Sequence, residues 1–135
     1  MSTKILGPAL ATLIMTIVHV AEAEQTKMFP KIGILRPVSS PDSLTEAFRQ
    51  GLRQLDYIEG RNISLEYRYG SGREDRLPEL AAELVRQNVD VIVTSSTPAT
   101  RAALDATRTV PIVFVAVSDP VGSGLVASLA RPRGN

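Results

Sequence analysis

The sequence predicts an α/β fold, a doubly wound parallel sheet with the flavodoxin-like strand order 2-1-3-4. Two segments, 89–93 (VDVIV) and 111–117 (PIVFVAV), are almost continuously apolar, which is typical of parallel strands covered on both faces. Segment 62–69 (NISLEYRY) alternates between apolar and polar residues, which indicates a half-exposed strand at the sheet edge. Helical patterns separate the strands, and short connections favour right-handed crossovers.

The first strand is predicted at 31–35 (KIGIL), a short apolar run. We expect Ser40 to cap the helix that follows, with Pro41 at its first position. Apolar residues then recur every three or four positions, which predicts an amphipathic helix of about four turns. The residues expected to face the sheet are Leu44, Ala47, Phe48, Gly51, Leu52 and Leu55.

In the alternating strand, Ile63 should point inwards, while Glu66 and Arg68 should face water. A loop at 70–75 (GSGRED) leads into the second helix. Its two acidic residues resemble a catalytic pair, but acidic side chains favour the first turn of a helix, so a solvated helix start is the simpler interpretation. The second helix should bury Leu77, Leu80, Ala81, Leu84 and Val85.

In the third helix we expect Thr97 to act as the cap and Pro98 to begin the first turn, with Ala99, Ala102, Ala103 and Ala106 facing the sheet. A fourth helix is expected after the turn at 119–124. Segment 122–127 (GSGLVA) fits the dinucleotide-binding pattern, but it follows the fourth strand, and no acidic residue can occur about 20 residues later. A fifth strand would normally follow, so we expect the chain to be a fragment.

The amino-terminal residues have the features of an export signal. Lys4 is followed by an uncharged apolar stretch, 9–20 (ALATLIMTIVHV), and then by Ala21-Glu22-Ala23, which fits the small-x-small rule for cleavage. We therefore expect a signal peptide at 1–23, a linker at 24–30 and an α/β lobe at 31–135, in a periplasmic protein. An uncleaved anchor or a buried helix remains the alternative.

Composition argues against several functions. The net charge is +1, and no basic run supports binding to nucleic acid. The sequence contains no cysteine, and its one histidine, His19, lies in the predicted signal. A mature chain without histidine or cysteine lacks the usual general base, thiol nucleophile and metal ligands. We therefore expect no catalytic residues, no metal and no cofactor, and a binding protein rather than an enzyme.

Small polar residues follow three of the predicted strands. They occur at 37–40 (PVSS), 94–98 (TSSTP) and 118–120 (SDP), and each segment leads toward a helix. In open α/β sheets, ligands bind beyond the carboxyl ends of the strands, where helix amino termini favour anionic groups. Helix capping alone is the alternative interpretation, although four consecutive hydroxyls at 94–97 exceed what one cap requires.

Several segments together carry a resemblance to a known family. Segments 31–35, 44–85, 89–103 and 110–132, which include the turns G-L-R-x-L-x-Y-x-E-G-x-N-I and D-P-V-x-x-G-L-V, resemble bacterial ABC-transporter solute-binding proteins. The resemblance implies the first lobe of a type I periplasmic-binding fold, in which two lobes close on a small molecule. The ligand contacts that it implies are Ser39, Ser40, Ser95, Ser96, Thr97, Pro98, Val117, Ser118 and Asp119.

The resemblance also implies a function and its partners. The protein would capture a small, amino-acid-like solute and deliver it to an inner-membrane permease with its ATPase, and a second lobe would complete the cleft. Some relatives take aromatic amino acids. A ligand-sensing domain without a transport role is the alternative, and an enzyme of flavodoxin-like fold is a more distant one.

Overall fold

The structure, a computed structural model, describes residues 29–132 together with residues 134 and 135. The predicted signal peptide and most of the predicted linker lie outside these residues. In chain order the elements are β1 (Lys31–Arg36), α1 (Ser43–Gln54), β2 (Ser64–Tyr69), α2 (Leu77–Arg86), β3 (Val91–Ser95), α3 (Thr97–Ala106) and β4 (Ile112–Val115), with a short 3-10 helix, Glu74–Arg76, before α2.

The four strands form one sheet in the order β2-β1-β3-β4, and every neighbouring pair is parallel. The register places Leu35 of β1 beside Arg68 on one side and Thr94 on the other. Both the predicted strand order and the predicted edge position of the alternating strand are confirmed.

One face of the sheet carries the main hydrophobic core. Leu35 and Ile92 point to this face and pack against α2 and α3, which also pack against each other. Gly33 allows α2 to approach β1, since a Cβ there would lie 3.1 Å from both terminal methyl groups of Leu84. The predicted inner faces of the second and third helices are confirmed, with Val85 and Ala106 only partly buried.

Helix α1 lies on the opposite face, and its predicted burial is wrong at three positions, one of which is Ala47, an exposed residue. Leu44 is 40% exposed and Leu55 is 70% exposed, while Phe48 and Leu52 are half-buried. In the part of the chain that the structure describes, this face carries α1 alone. An apolar cavity separates the start of α1 from β3 and β4, so the helix does not seal that side of the sheet.

Beneath α1, the edge strand β2 carries two stacked tyrosines. The rings of Tyr67 and Tyr69 lie 6.1 Å apart between centroids and are nearly parallel. Burial raises the pKa of Tyr67 to about 12.

On the other face of β2, the expectation that Glu66 and Arg68 face water is wrong. Both side chains are half-buried, because Nε of Arg68 donates to Oε2 of Glu83 on α2 at 2.7 Å. Ile63, just before the strand, is buried as predicted.

The boundaries of three strands differ by two residues from those expected, and β2 begins at Ser64 rather than at residue 62. β3 begins and ends two residues later than predicted, so Thr94 and Ser95 belong to the strand and are buried. β4 ends at Val115 rather than at residue 117, because Ala116 has a φ of +52°, which no strand residue adopts.

Two predicted helix caps are also displaced. Asp42, not Ser40, caps α1, since its carboxylate accepts a hydrogen bond from the Thr45 amide at 3.0 Å. Ser96, not Thr97, occupies the cap position of α3.

Turns replace the fourth helix predicted after residue 124, within residues 119–132 and 134–135 that the structure describes. The glycine-rich segment is a tight turn, in which the Gly122 amide donates to Oδ1 of Asp119 at 2.8 Å. A Cβ at position 122 would overlap the Asp119 carboxylate, so a larger residue there would displace this side chain from its hydrogen bond to the amide. Arg101 of α3 donates to the Ser123 carbonyl and holds the turn against the helix.

Candidate functional site

The sheet has its topological switch point between β1 and β3. From β1 the chain passes to β2 on one side, and from β3 it passes to β4 on the other. Ligands of open α/β sheets bind outside the carboxyl ends of the strands at such a point. The carboxyl ends of β1 and β3 are Arg36 and Ser95.

Arg36 joins these two strand ends and was missed by the sequence analysis. Its side chain is nearly buried, with the residue 7% exposed, and its Nε donates to Oγ of Ser95 at 3.0 Å. Its Nη1 donates to Oγ1 of Thr45 at 2.9 Å and to the Asp42 carboxylate. A charged residue that directly follows KIGIL and directly precedes the hydroxyl-rich loop is the signal that could have identified it.

Asp42, the acidic partner of Arg36, is ionised. Its hydrogen bond from Arg36, together with the bond from the Thr45 backbone amide, lowers the pKa of Asp42 to about 2. The arginine and aspartate therefore form an ion pair across the start of α1 at neutral pH.

Four of the predicted site residues, Ser95, Ser96, Thr97 and Pro98, follow one another at the end of β3 and the start of α3. Ser96 has a φ of +74°, and its side chain makes no capping hydrogen bond to α3. Its Oγ is buried and has no hydrogen-bond partner in the part of the chain that the structure describes. Thr97 and Pro98 form the first turn of the helix. The amino terminus of α3 is therefore left without a side-chain cap beside an unsatisfied hydroxyl.

Ser39 and Ser40 lie in the exposed loop after β1. Two backbone hydrogen bonds hold this loop, from the Ser71 amide to the Val38 carbonyl at 2.9 Å and from the Gly72 amide to the Pro37 carbonyl at 2.7 Å. Because β1 and β3 are parallel neighbours, this loop lies at the same edge of the sheet as Ser95.

The residues expected after the fourth strand have a different arrangement. Val117 is half-buried, while Ser118 and Asp119 are exposed. One carboxylate oxygen of Asp119 accepts from the Gly122 amide, and the Asp119 carbonyl accepts from the Ser123 amide at 2.9 Å. Asp119 therefore stabilises the turn that begins at this residue.

A cavity of about 220 Å³ opens between α1 and the sheet. Its wall is almost entirely apolar, although four of the lining residues, Arg36, Thr45, Thr94 and Ser95, are polar; the others are Ile34, Leu44, Phe48, Val93, Val113 and Val115. Of the predicted site residues, Ser95 is the one that lines it.

Residues 29–132, 134 and 135 contain no group of three or more metal-ligating side chains close enough to hold an ion. None of the helices formed by these residues is sufficiently long and apolar to cross a bilayer.

Comparison with known proteins identifies similar sequences. The family described as ABC transporter substrate binding protein matches residues 31–135. A tyrosine-binding protein of Clostridioides difficile (strain R20291) is 35% identical over 112 residues, which cover 82% of this chain. These residues amount to 32% of that relative, so the chain spans about a third of its length.

Solved structures give the same result for the fold. A ligand-free, open substrate-binding protein with adhesive properties from Clostridium difficile aligns with a TM-score of 0.73 and 33% identity, over 78% of this chain and 36% of its own. The ABC domain from Streptococcus pneumoniae in complex with L-Trp aligns with a TM-score of 0.74 and 29% identity, over 79% and 37%. The predicted fold of a binding-protein lobe is confirmed.

Proposed function

Because the chain belongs to the family of ABC transporter substrate-binding proteins, we propose that it forms one wall of an extracytoplasmic site that captures a small, amino-acid-like molecule. The captured molecule passes to an inner-membrane permease with its ATPase. A second lobe supplies the other wall of the cleft, since the chain spans 32% of the length of its tyrosine-binding relative.

The observation that carries this proposal is the uncapped amino terminus of α3. Free amides in the first turn of a helix, together with the helix dipole, favour an anionic group. The buried Oγ of Ser96 has no partner among the described residues, and an unsatisfied buried hydroxyl is costly unless a ligand or water completes it. A carboxylate satisfies both features.

The names of similar proteins support an amino acid as the ligand. One relative is a tyrosine-binding protein, and one structural neighbour was solved with L-Trp. We therefore propose that the ligand carries a carboxylate, held by 95–98 with contributions from Ser39, Ser40 and 117–119. The protein acts in the periplasm after removal of residues 1–23, and it binds its ligand without catalysis, cofactor or metal.

Titration of the protein with L-tyrosine, L-tryptophan and L-aspartate by calorimetry tests this function. Ser96→Ala keeps the Cβ, and hence the backbone strain, but removes the hydroxyl, so we expect binding to weaken by about tenfold. Ser64→Ala, at the opposite edge of the sheet, is the matched control and should bind as the wild type does.

The same titration should be made on a chimera in which residues 31–135 replace the matching part of the tyrosine-binding relative. Because a bilobed protein closes on its ligand, we expect the 135-residue chain to bind at least about a hundredfold more weakly than the chimera. A folded chimera that binds no amino acid would contradict the proposal, as would equal affinity for Ser96→Ala and the wild type.

A further inference from the structure

Ser96 has a backbone conformation that residues other than glycine rarely adopt. Its φ of +74° is the largest positive φ of any non-glycine residue that the structure describes, and its ψ is 156°. This region of the backbone map is open almost only to glycine, because the Cβ of any other residue is crowded there. Such strain persists only where the surrounding structure fixes the backbone. The contacts that fix Ser96 therefore help to maintain the candidate site.

On its amino-terminal side, Ser96 is fixed by the sheet. Ser95 is the last residue of β3, and its Cα pairs with that of Val115 in β4. Its Oγ accepts a hydrogen bond from Nε of Arg36 at 3.0 Å. Both the backbone and the side chain of Ser95 are held, so Ser96 could not relax on this side without disturbing the end of the strand.

On its carboxyl-terminal side, Ser96 is held by Thr100 of α3. The Ser96 carbonyl accepts two hydrogen bonds from Thr100, one from the backbone amide at 3.2 Å and one from Oγ1 at 2.8 Å. A threonine hydroxyl in a helix can bond to the carbonyl four residues earlier. Here that carbonyl belongs to the peptide group whose orientation is set by the ψ of Ser96, so the bond restrains the strained residue itself.

A second buried hydroxyl, that of Thr94 in β3, supports Thr100. Oγ1 of Thr94 lies 2.8 Å from Oγ1 of Thr100. Because Thr100 donates its hydroxyl hydrogen to Ser96, Thr94 is the donor of this bond. Thr94 is 1% exposed and Thr100 is 0% exposed, so water does not compete for either hydroxyl. A chain of hydrogen bonds therefore runs from β3 through α3 to the Ser96 carbonyl.

We propose that Thr100, supported by Thr94, is a positioning residue for the carboxylate site at the start of α3. An ordinary serine cap has an extended backbone, and its side-chain oxygen accepts from the first amides of the helix. By holding Ser96 in the glycine-type conformation, Thr100 prevents this capping bond and leaves those amides to the ligand. The inference deepens the proposed function and rests on it.

A double-mutant cycle followed by urea denaturation tests whether Thr100 restrains Ser96. Thr100→Val preserves the shape of the side chain but removes the hydroxyl, and Ser96→Gly removes the strain. In the wild type, relaxation of Ser96 partly offsets the lost hydrogen bonds, whereas the Ser96→Gly protein has no strain to release. We therefore expect Thr100→Val to lower the urea midpoint more in the Ser96→Gly background than in the wild type. Equal losses in the two backgrounds would overturn the inference.

Thr107→Val is the matched control, because Thr107 is a buried threonine at the other end of α3. Its hydroxyl accepts from the Thr109 and Val110 amides at 3.2 Å and has no contact with Ser96. Thr107→Val should lower the urea midpoint equally in both backgrounds. Thr100→Ser keeps the hydroxyl and should show no coupling to Ser96→Gly.

The affinity of the chimera for L-tyrosine gives the second test. We expect Thr100→Val to weaken binding by about tenfold, because Ser96 then caps the helix amides itself, while Thr100→Ser and Thr107→Val should bind as the wild type does. A folded Thr100→Val variant with unchanged affinity would contradict the inference. If L-tyrosine, L-tryptophan and L-aspartate all fail to bind but the cycle is non-additive, the proposed function fails and the restraint on Ser96 stands.

Discussion

At the scale of single residues, the ion pair between Arg36 and Asp42 organises the carboxyl edge of the sheet. A nearly buried charge is costly unless it is paired and hydrogen-bonded. Here the cost is offset by three partners, and two of them, Asp42 and Thr45, also form the cap of α1. The start of α1 and the end of β3 are therefore held by the same guanidinium.

Asp42→Asn should change how stability depends on pH. The pKa of Asp42 is about 2 in the folded protein, below the value of about 3.9 for an unfolded chain. The ionised carboxylate therefore stabilises the fold above about pH 4, and this contribution is lost as the pH falls toward 2. Urea midpoints between pH 6 and pH 2 should be lower for Asp42→Asn at pH 6 and should converge with the wild type near pH 2.

Asp105→Asn is the control for this measurement, because Asp105 is an exposed carboxyl on α3. It should show the pH dependence of the wild type. Parallel curves for Asp42→Asn and the wild type would show that the ion pair does not contribute to folding.

At the scale of elements, the three helices contribute unequally to the core. α2 and α3 pack against β1, β3 and each other, through leucines and alanines that are almost fully buried. α1 is held at its start by the Arg36 contacts, while Leu55, which directly follows its last turn, is mostly exposed. Its amphipathic pattern is real, but the described residues cover only part of its apolar side.

This difference predicts opposite outcomes for two leucine-to-alanine substitutions. Leu84 in α2 is fully buried, so Leu84→Ala should lower the free energy of unfolding by about 2–5 kcal/mol. Leu55, at the end of α1, is mostly exposed, so Leu55→Ala should change the free energy of unfolding by no more than about 0.5 kcal/mol. Chemical denaturation measures both, and a large loss for Leu55→Ala would mean that α1 packs more deeply than the structure shows.

At the scale of the whole molecule, the outer strand β4 is the least protected part of the sheet. Val113 is 52% exposed and Val115 is 41% exposed, both on the face that carries α1. On its outer edge, β4 has no neighbouring strand in the part of the chain that the structure describes, although the Ile112 amide donates to the Asn135 carbonyl at 2.7 Å. An apolar strand with an open edge is prone to pair with another chain.

We expect the 135-residue chain to self-associate as its concentration rises, and Val113→Lys to reduce this association. A lysine on an exposed edge strand opposes pairing, since its charge would have to be buried in the contact. Size-exclusion chromatography with light scattering gives the molar mass. Ala47→Lys, on the exposed side of α1, is the control and should associate like the wild type. A wild type that is monomeric at every concentration would contradict this prediction.

Export should be accompanied by cleavage after Ala23. The prediction rests on the Ala21-x-Ala23 spacing and on the short apolar stretch before it. Amino-terminal sequencing of the protein from a periplasmic fraction should begin at Glu24, and a sequence that begins at Met1 would contradict it.

The sequence by itself determined the order of the strands and helices from β1 to β4, the strand order of the sheet and the inner faces of α2 and α3. These features follow from local patterns, because a strand covered on both faces must be apolar throughout and a helix on a sheet must show its apolar residues every three or four positions. The hydroxyl groups at the end of β3 could also be predicted, since they directly follow an apolar run.

Only the tertiary structure decided which polar groups act together and which apolar residues are covered. Asp42 becomes the cap of α1 because Arg36 holds its carboxylate, and Arg36 is buried because Ser95, distant in sequence, accepts its hydrogen bond. The exposure of Leu44 and Leu55 likewise depends on what packs over α1 and not on the helical pattern. Burial and pairing arise between segments that are far apart in the chain, so no local pattern contains them.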